Sequence, residues 1–238
     1  MATREKIKLT SYNELLGVNN DMISEIDINK LHQFKDHPFS VVDNEKMLEL
    51  AKSIENNGIL SPLLVRPLGD GEYEIISGHR RKRACEITGK KKVSAIIKDI
   101  SHEEAIPLMV DANFQREDTL PSEKAKAYKM KMEALAHQGK SSDEMSSAKK
   151  IGQLAGISDR QVQRYIRLTE LIPELSKLVD DKQITFVLGV EISFLKTEYQ
   201  QLIYENICKG KKVSKDNVRM IRENQENLSL EEVSQILF

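Results

Sequence analysis

Residues 77–84 read SGHRRKRA, and their types and order suit one task, the holding of an anion. An alternating run, EYEII at 72–76, leads into the octet, and a helix-like run at 82–87 leads away from it. That order describes a strand, a glycine turn and a helix start. Unpaired N–H groups at a helix start point outward, and the helix dipole favours negative charge there. Arg80 and Arg81 add planar guanidinium forks that match phosphate oxygens, while Gly78 lets a ligand approach the backbone. The same octet also fits a basic helix start on a solvated surface, and a motif this short leaves both readings open.

A second stretch narrows the choice. Residues 111–118 read DANFQRED, followed by TLPSEKA. Together the two stretches resemble the ParB family of DNA-partitioning proteins, whose patterns are G-E/H-R-R-x-x-A and E-N-x-Q-R-x-x-L-x-P-x-E-x-A. The resemblance runs on through a helix-turn-helix and covers about residues 26–184. It implies an α+β N-terminal domain of ParB/sulfiredoxin type followed by an all-α helix-turn-helix domain, mostly helical overall. The boundaries expected are an N-terminal arm at 1–22, a nucleotide-binding domain at 23–118 and a DNA-binding domain at 119–238, with the helix-turn-helix at 148–169. By the same resemblance Gly78, His79, Arg80, Arg81, Asn113, Gln115 and Arg116 line a CTP site, and Asn113 helps to hold Mg²⁺. The partners implied are a specific palindromic site on double-stranded DNA, a ParA-type ATPase and a second copy of the chain.

Two departures from the family pattern matter. Ala112 stands where the family has the glutamate associated with hydrolysis, and alanine can neither ligate a cation nor orient water. Asp111 lies next door, where a neighbour on a strand or turn points elsewhere. The segment around His37, Pro38 and Phe39 replaces an N-P-x-Q-P-R loop and lacks its glutamine and arginine. The expectation is nucleotide binding with slow turnover or none. The arm also lacks the L-G-x-G-L-like context through which family members stimulate ParA; only Leu15, Leu16 and Gly17 are vaguely similar.

The elements that must position these residues follow from the pattern. With 39% hydrophobic and 31% charged residues, the 238-residue chain has the composition of a charge-rich, mostly helical protein. No apolar run approaches the ~20 residues that span a bilayer, and the start MATREKIKLT has no signal-peptide core, so a cytoplasmic protein is expected. Cys85 and Cys208 are too far apart in sequence for CxxC metal spacing, and five scattered histidines supply no metal constellation. A short strand is expected at 25–28, an amphipathic helix at 44–57 closed by Gly58, a buried strand at 59–67, and a hairpin through Gly69-Asp70-Gly71. After the arginine helix come a strand at 93–97 and a helix at 101–110 with the capping pattern Ser101 and Glu104. From residue 122 strand signals vanish: a long helix runs over 122–136, then a polar loop at 138–143.

Net charge of −1 conceals an uneven distribution. Between 146 and 169, Lys149, Lys150, Arg160, Arg164 and Arg167 face only Asp159, and a second basic cluster runs from Lys209 to Arg222. In the same region Ile151, Leu154 and Ala155 form the packed face of a first helix, with Gly156-Ile157 as the turn. Ser158 caps a second helix, with Gln161 at the capping-box position. Val162, Tyr165 and Ile166 face inward, leaving Asp159, Arg160, Gln163, Arg164 and Arg167 outward, the composition of a recognition helix. Arg160, Gln161, Gln163 and Arg164 are expected to read bases, and Lys149, Lys150 and Arg167 to meet phosphates. Helices are expected at 174–179 and 184–192, and a tail from 214 splits near 227–229. The chain stops inside VSQILF, where family members usually continue into a C-terminal dimerisation domain, so a truncated sequence is expected.

Two other functions share these features. A transcriptional or nucleoid-occlusion-like regulator would keep the DNA-binding helices with an altered nucleotide switch. A nuclease would need clustered carboxylates, and only Asp111, Glu117 and Asp118 offer themselves. A sulfiredoxin-like phosphotransferase shares the G-x-H-R turn but needs a cysteine where Ser77 stands.

Overall fold

A computed structural model describes residues 23–114, 118–137 and 144–237. The arm at 1–22, the loop at 138–143, and Gln115, Arg116 and Glu117 lie outside the described residues. The chain divides into two compact units, Met1–Ala112 and Asn113–Phe238.

The first unit is built on a five-stranded mixed sheet of order β1-β5-β3-β4-β2. Its strands are β1 (Ile23–Asp27), β2 (Leu31–His32), β3 (Leu63–Gly69), β4 (Glu72–Ser77) and β5 (Lys92–Ile97). β1 pairs antiparallel with β5, and β5 runs parallel to β3. β3 and β4 form the expected hairpin, with Val65 opposite Ile75. Asp70 and both flanking glycines take positive φ at its tip, as so tight a return requires. Helix α1 (Glu45–Asn57) is capped by the Asn44 side chain, which accepts from the Met47 N–H at 3.1 Å. It buries Met47, Ala51 and Ile54, a 3.6-residue stripe, together with Ala84 and Cys85 of α2 (His79–Ile87) and the apolar residues of β3, β4 and β5.

The expected strand at 59–67 begins only at Leu63. Residues 59–62 form a loop, and Leu60 is 85% exposed. An apolar run cannot by itself separate strand from loop; here the loop carbonyls are claimed by a side chain described below. Helix α3 (His102–Asn113) carries the expected reciprocal box: the Ser101 N–H donates to Glu104 Oε2 at 3.0 Å, and the Glu104 N–H donates to Ser101 Oγ at 3.2 Å. It runs three residues past its expected end, so Asp111 and Ala112 are helical rather than on a strand or turn.

The second unit is helical throughout its described residues: α4 (Pro121–His137), α5 (Glu144–Ala155), α6 (Asp159–Arg167), α7 (Pro173–Asp180), α8 (Phe186–Ile192), α9 (Thr197–Cys208), α10 (Lys215–Asn224) and α11 (Leu230–Leu237). The N-terminus of α4 is held from another helix: Asp180 of α7 accepts from the Ser122 N–H at 3.0 Å and from its hydroxyl at 2.5 Å. α11 opens with the expected Ser229 and Glu232 box. The larger of two core clusters described in this unit includes Leu175, Ile192, Tyr199, Ile203, Val218 and Ile221. None of the described helices is long and apolar enough to cross a membrane.

Candidate functional site

Gly78 ends β4 and opens α2 with φ +112°, a conformation that L side chains rarely adopt. A Cβ there would also meet Leu63 Cγ at 2.7 Å, so glycine is required twice over. No side chain caps the helix, and its first N–H groups have no intrahelical acceptor. The turn therefore presents backbone donors backed by a helix dipole, the arrangement an anion needs.

The three arginines of α2 that the sequence places side by side have separate duties. Arg81 Nη1 donates to Ser61 O and Pro62 O, each at 2.6 Å, and so pins the 59–62 loop. Arg83 pairs with Asp43 ahead of α1 and with Glu86 one turn on, and these carboxylates hold its guanidinium pKa above the ordinary value. Arg80 is half-buried, and among the described residues it has neither hydrogen bond nor ion pair. A guanidinium partly withdrawn from water at a helix start with no side-chain cap is the charge in this unit best placed to meet an anion. Cys85, by contrast, is fully buried, and burial pushes its thiol up, away from the reactive thiolate.

Glu74 is the residue that sequence reasoning missed. It is 4% exposed and accepts from Arg66 Nε at 2.6 Å and from the Lys35 N–H at 2.9 Å, with His102 Nδ1 at 3.4 Å. These bonds tie the 33–39 segment to β4, and that segment reaches the turn. The Phe34 N–H donates to His79 Nε2 at 3.4 Å, and the His37 and His79 rings lie 3.8 Å apart. Phe34 stacks on His102 at 4.7 Å. The histidines are thus not scattered: three of them gather around Phe34 and Glu74, although no group of three ligating side chains forms a metal site among the described residues. The signal was faint: Glu74 shares its strand face with Glu72 and Ile76, opposite the Tyr73 and Ile75 face that the alternation reserves for the core, so its burial was not legible from the pattern.

Burial works to raise the Glu74 pKa, but the Lys35 N–H, Arg66 and His102 outweigh it and bring the carboxyl below its ordinary value. A depressed carboxylate stabilises the fold above its unfolded pKa and ceases to do so as pH falls through the folded one. Glu74→Gln should therefore lose stability at pH 7, with the gap to wild type closing as pH falls below about 4.3. Urea titrations across pH 3 to 7 measure this; a constant gap across that range would contradict it.

At the end of α3, Asn113 is the last helical residue, while Asp111 and Ala112 precede it on successive ~100° steps of the helix. Asp111 therefore cannot project where a side chain on Ala112 would.

In the second unit a tight turn joins α5 to α6, over the stretch where a helix-turn-helix is expected. Gly156 takes φ +70° in the turn, and the Ser158 hydroxyl accepts from the Gln161 N–H at 3.1 Å. Gly152 allows the close approach of the two helices: a Cβ there would lie 2.6 Å from Ile157 O and 3.2 Å from the Asp159 N. Ile151 and Val162 are fully buried, but Leu154 is 63% exposed, off the stripe formed by Ala148, Ile151 and Ala155. Its expected place on the packed face is corrected by the helical phase, which turns it ~100° from Ala155. Asp159, Arg160 and Gln163 are exposed and Arg164 is half-exposed on one side of α6; Lys149 and Lys150 are exposed on α5. Arg167 turns to the downstream helices: Nη2 donates to Ser193 O at 2.6 Å, and the guanidinium lies 4.3 Å from the Phe194 ring centre. Arg222 covers the same ring at 3.9 Å, and Arg219 pairs with Glu191 at 2.8 Å. Arg167 thus fastens the end of α6 to the residues that follow α8.

Comparison with known proteins agrees with this architecture. Residues 13–114 match the family model for the ParB N-terminal domain. The chromosome-partitioning protein Spo0J of Thermus thermophilus is 39% identical over 141 residues, covering 59% of this chain and 48% of that protein. A nucleoid occlusion protein of Oceanobacillus iheyensis is 30% identical over 213 residues, 87% of this chain and 71% of that protein. The chain spans about half the length of the first of these relatives. The crystal structure of the C-terminally truncated chromosome-partitioning protein ParB from Caulobacter crescentus, complexed to the centromeric parS site, shares the fold. It has a TM-score of 0.51 at 24% identity and covers 84% of this chain and 99% of that one.

Proposed function

The chain belongs to the ParB family, and from that premise we propose that it is a partition protein that binds a specific DNA site and clamps DNA under the control of CTP. The observation that carries the nucleotide half is Arg80, half-buried at an uncapped helix start with no protein counter-charge among the described residues. In this reading Arg80 and the N–H groups after Gly78 take the triphosphate, and Arg81 acts behind them by holding the loop. His79 Nε2 accepts from the Phe34 N–H at 3.4 Å, which ties the turn to the 33–39 segment. Asn113 offers an amide oxygen and, on the family pattern alone, is proposed as a nucleotide ligand together with Gln115 and Arg116. Such a donor suits Mg²⁺, which takes one or two protein ligands and relies on phosphates and water for the rest. When bound, the ion would share phosphate charge with Arg80.

Turnover is expected to be slow. Ala112 supplies no oxygen, and the helix directs Asp111 about 100° away. Calorimetry with CTP and Mg²⁺ should show binding, while phosphate release with cognate DNA should stay near background. Robust DNA-stimulated release would show that another carboxylate serves.

The DNA half rests on α6, whose exposed side chains and local positive charge suit a major groove. Arg160, Gln163 and Arg164 are proposed to read bases and Lys149 and Lys150 to meet phosphates. Ser158 fixes the helix start, Gln161 is proposed to read bases beside Arg160, and Arg167 chiefly holds the helix in place. Arg164→Ala should cost ~1–3 kcal/mol at one base position and relax specificity there. Lys150→Ala should weaken all sequences alike and flatten the salt dependence. Anisotropy titrations against a duplex selected by the protein from random sequence measure both; no change in either variant would remove α6 as the reading helix. A homodimer and a ParA-type ATPase complete the proposal, the dimer to match a palindromic site. The nucleoid occlusion relative supports a second reading, the same DNA chemistry in a division-control role. Deletion in the source cell separates the two: lost replicon inheritance supports partition, and septation across unsegregated DNA supports occlusion.

A further inference from the structure

Phe114 stands between two of the proposed nucleotide ligands, Asn113 and Gln115, yet its ring packs into the core of the helix-turn-helix. That core is Tyr128, Ala148, Ile151 and Val162, with Phe114 and Tyr165 packed against it. The Phe114 and Tyr128 ring centres are 5.3 Å apart, and Tyr128 and Tyr165 are 5.5 Å apart. Tyr165 belongs to the recognition helix and is 4.7 Å from Phe186 of α8. On the other side of Phe114, the Nζ of Lys131, a residue 2% exposed, lies 5.1 Å from its ring centre. A continuous aromatic column therefore joins the segment that carries Asn113 to the helix proposed to read DNA.

We propose that Phe114 is a positioning residue that couples the nucleotide-ligand segment to the recognition helix through Tyr128 and Tyr165. The inference rests on the function proposed above. Adjacent Cα atoms are ~3.8 Å apart, so Asn113 cannot shift by an ångström or more without carrying Phe114 with it. Close-packed cores do not deform continuously: a displaced ring leaves a void that its neighbours must fill, and here the neighbours lead to α6. Coupling of this kind is reciprocal. DNA that immobilises α6 holds Tyr165, Tyr128 and Phe114 in place and so presets Asn113; nucleotide bound at Asn113 resets α6.

The test is DNA affinity with and without CTP and Mg²⁺, measured on the full chain with the selected duplex. Wild type should show a coupling factor on the order of tenfold. Phe114→Leu and Tyr128→Leu keep apolar bulk but break the column, and the factor should drop below about twofold while each ligand alone binds nearly as before. Tyr128→Phe keeps the ring and should keep the factor, which a loss of stability alone would not explain. An unchanged factor in both leucine variants, or none in wild type when both ligands bind, overturns the proposal. If wild type binds no nucleotide, the functional reading fails separately, and hydrogen exchange decides. DNA should then slow exchange at the amides of residues 113 and 114 in wild type but not in Phe114→Leu; no change in wild type overturns the coupling. The same wild-type exchange measurement decides if the leucine variants do not fold.

Discussion

Arg80→Ala should lose CTP binding by at least about a hundredfold while melting with wild type, and Arg81→Ala should do the reverse. The two arginines are neighbours in one motif, but the structure gives them different work. Arg80 has no hydrogen-bond or ion-pair partner among the described residues, so its removal breaks no polar contact of the fold. What is lost is one charge-assisted fork on a phosphate in a partly dry site, and two such bonds at ~1.5–3 kcal/mol each account for a hundredfold or more. Arg81 donates to two loop carbonyls at 2.6 Å, and its guanidinium lies against Gly78. Truncation leaves those carbonyls with water alone and removes the filler beneath the turn, at a cost of about 2–4 kcal/mol. Calorimetry for binding and urea unfolding for stability, run on both variants, separate the roles. Equal loss of stability in both would show that Arg80 is structural, and unchanged CTP affinity in Arg80→Ala would remove the proposed site.

Gly152→Ala should disable DNA binding although the substitution adds one methyl group and touches no DNA-facing residue. The new Cβ would sit 2.6 Å from Ile157 O, with Asp159 N and Ser158 C at 3.2 Å. All three are backbone atoms of the turn and of the recognition helix start, so no side chain can swing aside. The helices must separate, which strains the Ile157 N–H bond to Gly152 O at 2.9 Å and lifts Ile151 and Val162 from contact. Overpacking of this kind costs ~1–3 kcal/mol in stability. Tilting α6 would forfeit together the base contacts proposed for it, so affinity should fall by on the order of a hundredfold or more. Leu154→Ala, at an exposed position two residues on, is the internal control and should change neither. Anisotropy titration and thermal melting test this, and a Gly152→Ala protein that binds DNA as wild type does would refute the close approach.

The local rules carried much of the fold. Caps at Asn44, Ser101, Ser158 and Ser229, the β3–β4 hairpin and the strand-to-helix turn at Gly78 all follow from residues close in sequence. Such features depend on hydrogen bonds two to four residues apart, and a single chain displays those directly. Leu154 marks the limit of the same reasoning: a helix stripe is legible as a period, but its edge depends on which neighbour covers it.

The spacing of residues determined which side chains could serve an anion and which a groove; it could not say which of them the fold itself consumes. Glycine, histidine and two arginines stand together at 78–81, and a cationic outer face stands at 159–167, in the order of the residues alone. Only the tertiary structure left Arg80 without a partner among the described residues, committed Arg81 to Ser61 and Pro62, and turned Arg167 onto Ser193 and Phe194. It alone gathered Glu74, Arg66 and His102 around Phe34, and placed Phe114 in the helix-turn-helix core. Every one of those partners lies 19 or more residues away in sequence except Phe114's neighbour Tyr128 and the hairpin pair Arg66 and Glu74. A charged group's role is set by its nearest opposite charge or acceptor in space, and chain spacing fixes that distance only within a helical turn or a strand pair.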